Sequence, residues 1–199
     1  MLIRQVACFD KPGAQNTDET IKFAVERALE SGIKHVVVAS SSGETGVKVA
    51  RALKGKGVKV VVVGLHVGFS LPGVRRLEER HARELKGLGV TVVEQTHALS
   101  GVERSITRRL GGASRVESIA EALRTLMGVG TKVCVEISIM AADGGHVPVD
   151  GKAEIIAIGG THKGADTACF ILPAHANNFF DLQIREFIAM PRDKAWTEQ

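Results

Sequence analysis

The chain has 199 residues, 44% of them hydrophobic and 24% charged, with a formal net charge of +4. A chain of this length can bury a full core without disulfides, and its basic residues form no aromatic-interleaved stripe of the kind that grips nucleic acid. No apolar run approaches the roughly 18 residues of a membrane span.

Cys8, Cys134 and Cys169 are odd in number, lack metal-like spacing and sit inside apolar runs, so they read as small reduced hydrophobes. With an N-terminus that reads as a strand and not as a signal peptide, a cytoplasmic setting is the expectation.

In chain order, Leu2 to Phe9 alternates as a strand, ended by Asp10-Lys11-Pro12-Gly13. Asn16 is placed to cap a helix, with Glu19 in capping-box register, Ile21, Val25 and Leu29 along one face, and Gly32 as the stop. His35 to Ala39 is a β-branched second strand. Val47, Ala50 and Leu53 begin a helical stripe that Gly55 and Gly57 close. Lys59 to Leu65 is a third strand. Pro72 and Gly73 then open a helix with Val74, Leu77, His81, Leu85 and Leu88 on its apolar face, which makes His81 a core residue. Thr91 to Glu94 reads as a short fourth strand.

Ser114 to Met127 is helical through Ile119, Leu123 and Leu126. Lys132 to Ala142 has the composition of a strand. It is assigned to helix because Lys132 and Glu136 stand four apart and Gly144-Gly145 resembles a helix stop. Glu154 to Ile158, Ala168 to Leu172 and the amphipathic Leu182 to Met190 are strands, followed by a polar tail from about residue 192. Strand–helix alternation without a linker, repeat or low-complexity tract predicts one α/β domain over 1–199, built on a mainly parallel sheet.

In such a sheet, ligands sit outside the carboxyl ends of the strands. Those ends carry most of the residues that could touch a ligand. The apolar Val36-Val37-Val38 run breaks into Ser40-Ser41-Ser42-Gly43-Glu44-Thr45-Gly46, a strand delivering hydroxyls and glycines onto a helix start. Free N–H groups there favour an anion, Gly43 lets the backbone approach it, and Ser42 and Thr45 can donate hydroxyl bonds. Ordinary capping by Ser42 or Thr45 is the alternative. The stretch matches neither a Walker A loop nor a dinucleotide fingerprint.

Gly159-Gly160-Thr161-His162-Lys163-Gly164-Ala165-Asp166-Thr167 follows the same logic, with Thr161 and Thr167 as donors and Asp166 as an acceptor for a ribose, ribityl or ring N–H group; a plain glycine-rich turn is the alternative. His66 and His97 follow strands and could bond a ligand, and Phe69 could flank a planar ring. His35, His146, His162 and His175 lack the spacing of a metal site, so no metal is expected. Glu136 and Asp143 are acid–base candidates, with a plain helix-surface role as the commoner reading. No Gly-x-Ser-x-Gly elbow is present and no catalytic residue is assigned.

The stretch Val38 to Gly46 is similar to the strand–loop–helix of the pyruvate kinase C-terminal domain, where a Ser-Gly-x-Thr loop holds a phosphate of a regulatory sugar bisphosphate. The whole chain resembles the stand-alone archaeal proteins of that pyruvate kinase C-terminal-like fold. The likeness runs through Pro12-Gly13, His66-x-Gly68-Phe69, His97 to Gly101, Lys132 to Glu136, Met140 to Asp143, Ile156 to Thr161, Gly164 to Ala168 and Pro173-Ala174-His175.

The resemblance implies a three-layer α/β/α fold and association with flavin mononucleotide (FMN). Its phosphate is expected on Ser42, Gly43 and Thr45, and its ribityl and ring parts toward His66, Phe69, Thr161, Gly164 and Asp166. The kinase barrel is absent, so kinase activity is not implied. Glu44 stands beside the phosphate position, where a carboxylate repels a dianion unless turned outward, which argues against a sugar bisphosphate. The expected function is binding of FMN or a similar phosphorylated small molecule, as a flavin-dependent oxidoreductase of unknown substrate or, alternatively, as a non-catalytic sensor of a phosphorylated metabolite. Self-association into a homo-oligomer stays open.

Overall fold

The computed structural model describes residues 1 and 3–195, and seven strands join in one sheet. In chain order the elements are β1 (Ala7–Phe9), α1 (Thr17–Glu30), β2 (His35–Ala39), α2 (Glu44–Leu53), β3 (Lys59–Val63), α3 (Glu79–Gly87), β4 (Thr91–Val93), α4 (Val102–Leu110), α5 (Arg115–Met127), α6 (Val129–Asp143), β5 (Ile155–Gly159), β6 (Thr167–Leu172) and β7 (Gln183–Pro191). The strand order is β1-β7-β6-β5-β2-β3-β4, with only β6 antiparallel to its neighbours. The result is a three-layer α/β/α fold with a mainly parallel sheet.

Alternation within the central strands divides the core. Val36, Val38, Ile156 and Ile158 face α1, α2 and α3. Val37, Ala157 and Cys169 face α6. A second layer, α5, then covers α6 through Ala120 against Val135 and Ile139. Pressed between sheet and helix, α6 is buried around nearly its whole circumference. A helix hydrophobic all round loses the one-sided stripe that marks helices in sequence, which is why 132–142 has a strand-like composition yet folds as a helix.

Several expected boundaries shift. The first strand is only Ala7–Phe9; residues 3–6 take no regular structure, and Leu2 lies outside the described residues, as does the expected tail from 196 on. Asn16 holds the cap position of α1, but its side chain makes no cap bond and instead donates to the Lys11 carbonyl at 2.8 Å. Leu29 is 42% exposed, and Ala28 completes the α1 stripe. At about 100° per residue, eight residues drift about 80° off a face whereas seven drift about 20°.

The helix expected from Pro72–Gly73 starts only at Glu79, so Val74 is exposed while Leu77 and Leu85 stay buried. Residues 74–78 are held across the loop by the Arg75–Glu94 ion pair. Leu126 is exposed because α5 packs on one side only, and the sequence reading assigned nothing to α4, none of whose residues is buried.

Candidate functional site

Chain direction splits between β2 and β5: β2 leads outward through β3 to β4, while β5 leads the other way through β6 to β7. Such a switch point leaves a crevice outside the carboxyl ends of the two central strands. A cavity of about 490 Å³ lies there. Its walls come from the start of α1 (Thr17, Asp18), the Ser40–Ser42 stretch and α2 (Glu44, Thr45, Lys48), the end of β3 (Gly64, Leu65), His97, one face of α6 (Val133, Glu136, Ile137, Met140) and the β5–β6 loop (Gly160, His162, Lys163, Gly164). Four of the five strand-end stretches expected on one rim thus contribute to one space, and the 66–69 stretch does not.

The serine loop is pinned from behind. The Ser42 carbonyl accepts from His81 Nδ1 at 2.8 Å and from the Glu78 amide at 3.1 Å. Gly43 sits at φ 93, and a Cβ there would lie 2.5 Å from His81 Cβ and 2.6 Å from a Leu77 methyl. Its missing side chain therefore serves packing against the 77–81 segment; Gly43 is not itself part of the cavity wall. His81 is a half-buried loop anchor and not only core filler.

At the start of α2 the Gly46 amide donates to Ser40 Oγ at 3.1 Å, and the Glu44 amide makes a long 3.4 Å contact to Ser42 Oγ. Among the described residues the Thr45 amide has no acceptor. Ser40, Ser42 and Thr45 all line the cavity beside it, with the Ser40 hydroxyl already accepting from the helix start. Around the rim Lys48, Arg76 and Lys163 are matched by Asp18, Glu44 and Glu78, and Lys48 is paired to Asp18 at 2.9 Å. Attraction for an anion is therefore local, from the amide and hydroxyls, and not a bulk positive field.

The Gly159–Thr167 stretch is a turn between antiparallel neighbours, with Gly159 opposite Thr167. Asp166 is fully buried and accepts from the Gly13 amide at 3.0 Å, the Thr161 amide at 3.1 Å and Thr167 Oγ1 at 2.8 Å. It locks three pieces of backbone together and does not face the cavity; Thr161 and Thr167 are likewise buried and outside its wall. At Gly164, φ is 73 and a Cβ would lie 2.1 Å from Thr17 Oγ1, so the loop closes onto α1 only as glycine. His162, the sole non-glycine with positive φ among the described residues, lies exposed at this turn.

His66 and Phe69 lie beside the cavity and not in its wall. Their rings pack on His97, at centroid distances of 6.0 Å and 5.3 Å. Burial lowers the His97 pKa, a shift that Glu136 partly opposes and Lys132 reinforces.

Sequence reasoning undervalued Glu136. It is buried, its Oε1 accepts from the Leu99 amide at 2.9 Å, and Lys132 Nζ donates to its Oε2. Burial pulls the Lys132 pKa down, opposed by Glu136. The available signal was a Lys–Glu pair at i,i+4 inside an otherwise apolar helix, where no solvated face exists to hold it.

Among the described residues no cluster of three His, Cys, Asp or Glu is placed to hold a metal ion, and no helix is long and apolar enough to cross a membrane.

No family model matches the chain. Among solved structures it is similar to an NH3-dependent NAD synthetase from Campylobacter jejuni subsp. jejuni NCTC 11168, in complex with the nitrate ion. That likeness has 16% identity over 71% of this chain and 54% of that one, with a TM-score of 0.36. A pyridoxal 5'-phosphate-dependent aspartate racemase matches at 17% identity over 72% of this chain and 48% of that one, with a TM-score of 0.28. The chain spans about half the length of either protein.

Proposed function

We propose that the cavity binds a small phosphorylated ligand, with FMN as the specific candidate and the phosphate at the start of α2. The observation that carries this reading is the unpaired Thr45 amide flanked by the Ser42 and Thr45 side chains in the wall of a deep crevice. A helix start with a free N–H and convergent hydroxyls is suited to a phosphate oxygen. The volume falls in the range of about 300–1,000 Å³ usual for small-molecule sites, and the aromatic rings of His66, Phe69 and His97 beside it suit a planar group. FMN itself comes from the resemblance to the stand-alone pyruvate kinase C-terminal-like proteins.

Fluorescence titration of the purified protein with FMN and with riboflavin tests the reading. FMN is expected to bind at least about tenfold more tightly than riboflavin, which lacks the phosphate, and the Ser42→Ala/Thr45→Val variant is expected to remove that preference. Equal binding of the two flavins, or none of FMN, would sink it.

A further inference from the structure

The cavity has a second pole, remote in character from the hydroxyl loop. Here one face of α6 and the loop after β4 bring Glu136 and His97 into the wall. The Glu136 side chain is 4% exposed; its Oε1 is held by the Leu99 amide, its Oε2 by Lys132, and His97 Nδ1 stands 3.6 Å from Oε2. A carboxylate offers about four acceptor positions. These partners occupy at most three, so acceptor capacity remains.

Lys132 is outside the wall, so the counter-charge sits behind the carboxylate. A buried carboxylate alone would be strongly disfavoured; with Lys132 beside it, the pole presents an acceptor without net local charge. That chemistry rejects a second anionic group and gains little from a cation. It suits a neutral N–H. The rings of Phe69 and His66 around His97 form an aromatic edge next to the same pole, which a flat heterocycle can lie against.

We propose that Glu136, with Lys132 as its buried counter-ion, reads a ring N–H of a planar lactam- or imide-type heterocycle, and so sets which phosphorylated ligand the cavity accepts. The proposal rests on the phosphate reading of the other pole, and it assigns Glu136 to specificity instead of mere attachment of α6 to the 97–101 loop.

The test pairs two flavins with two proteins. FMN carries an imide N–H at N3, and N3-methyl-FMN lacks it while keeping the phosphate. Wild-type protein is expected to bind the methylated flavin about tenfold or more weakly, the usual effect of losing a hydrogen bond to a charged group. In Glu136→Gln, FMN binding is expected to weaken and the penalty for methylation to fall to about threefold or less, because the amide oxygen offers only a neutral acceptor in place of the charge-assisted one. Equal affinity of wild type for both flavins, or a methylation penalty undiminished in Glu136→Gln, would overturn the proposal while leaving the phosphate reading intact. Failure of wild type to bind FMN at all would overturn both.

Should Glu136→Gln fail to fold with Lys132 left unpaired, the wild-type comparison still decides. The Lys132→Met/Glu136→Gln double variant, which removes both charges together, then supplies the protein arm of the cycle.

Discussion

The two glycine- and hydroxyl-rich loops at the centre of the rim resemble each other in composition and differ in what their polar groups do. In the Ser40–Gly46 loop, Ser42 and Thr45 face the cavity and the Thr45 amide is unspent. In the Gly159–Thr167 loop, Asp166 accepts from the Thr161 and Gly13 amides and the Thr167 hydroxyl, and only Gly160, His162, Lys163 and Gly164 reach the cavity. The first loop starts a helix, whose leading amides lack partners by construction. The second turns between antiparallel neighbours and must also hold the chain leading into α1, so its polar groups are consumed internally. Loop composition therefore indicates an ability to bind, and the flanking elements decide whether that ability faces a ligand.

This contrast makes opposite predictions for stability and binding. The largest effect is expected for Asp166→Ala, which strands the buried Thr161 amide and Thr167 hydroxyl together with the half-buried Gly13 amide. Loss of about 3–5 kcal/mol in urea unfolding is expected, since each orphaned buried donor costs about 1–3 kcal/mol. A loss below about 1 kcal/mol would break the distinction between the loops.

Next comes Gly43→Ala, where the positive φ and the contacts with Leu77 and His81 act together. About 2–4 kcal/mol is expected from left-handed strain and overpacking, seen as a lower unfolding midpoint.

Ser42→Ala/Thr45→Val should behave the other way, losing no more than about 1 kcal/mol of stability, while its flavin titration changes. A large loss of stability in this variant would mean that the serine loop is as internally committed as its counterpart.

The smallest effect concerns pH. Burial lowers the folded-state pKa of His97, with Glu136 and Lys132 from α6 and His66 from the loop after β3 facing it. The unfolded chain therefore binds the extra proton first. Stability is fully present above the ordinary histidine value of about 6.5 and falls as pH drops through the window below it. Unfolding curves collected across that window should show a slope that is reduced in His97→Gln.

Much of the architecture was legible because strands and helices here obey simple periodicities. The His35–Ala39 strand and the second helix follow from a β-branched run and an apolar stripe between glycines. The antiparallel run of β6 was not legible, because a strand buried on both faces looks the same in either direction. Nor was the Arg75–Glu94 pair ahead of α3 legible, a contact between residues nineteen apart. In the candidate site, Ser42 and Thr45 were visible as hydroxyls before a helix, whereas Glu136 resembled a surface carboxylate until its helix proved to be enclosed.

By itself the sequence determined which segments become strands and helices, and that hydroxyls, glycines and histidines follow the strand ends, since local periodicity and turn chemistry are properties of neighbouring residues. Only the tertiary structure decided that Asp166 is a buried lock, that Gly43 makes room for Leu77 and His81, and that Glu136 and His97 share a wall with the serine loop. Each of those facts depends on segments far apart in the chain being pressed together, and no local pattern encodes which donor a buried acceptor will meet.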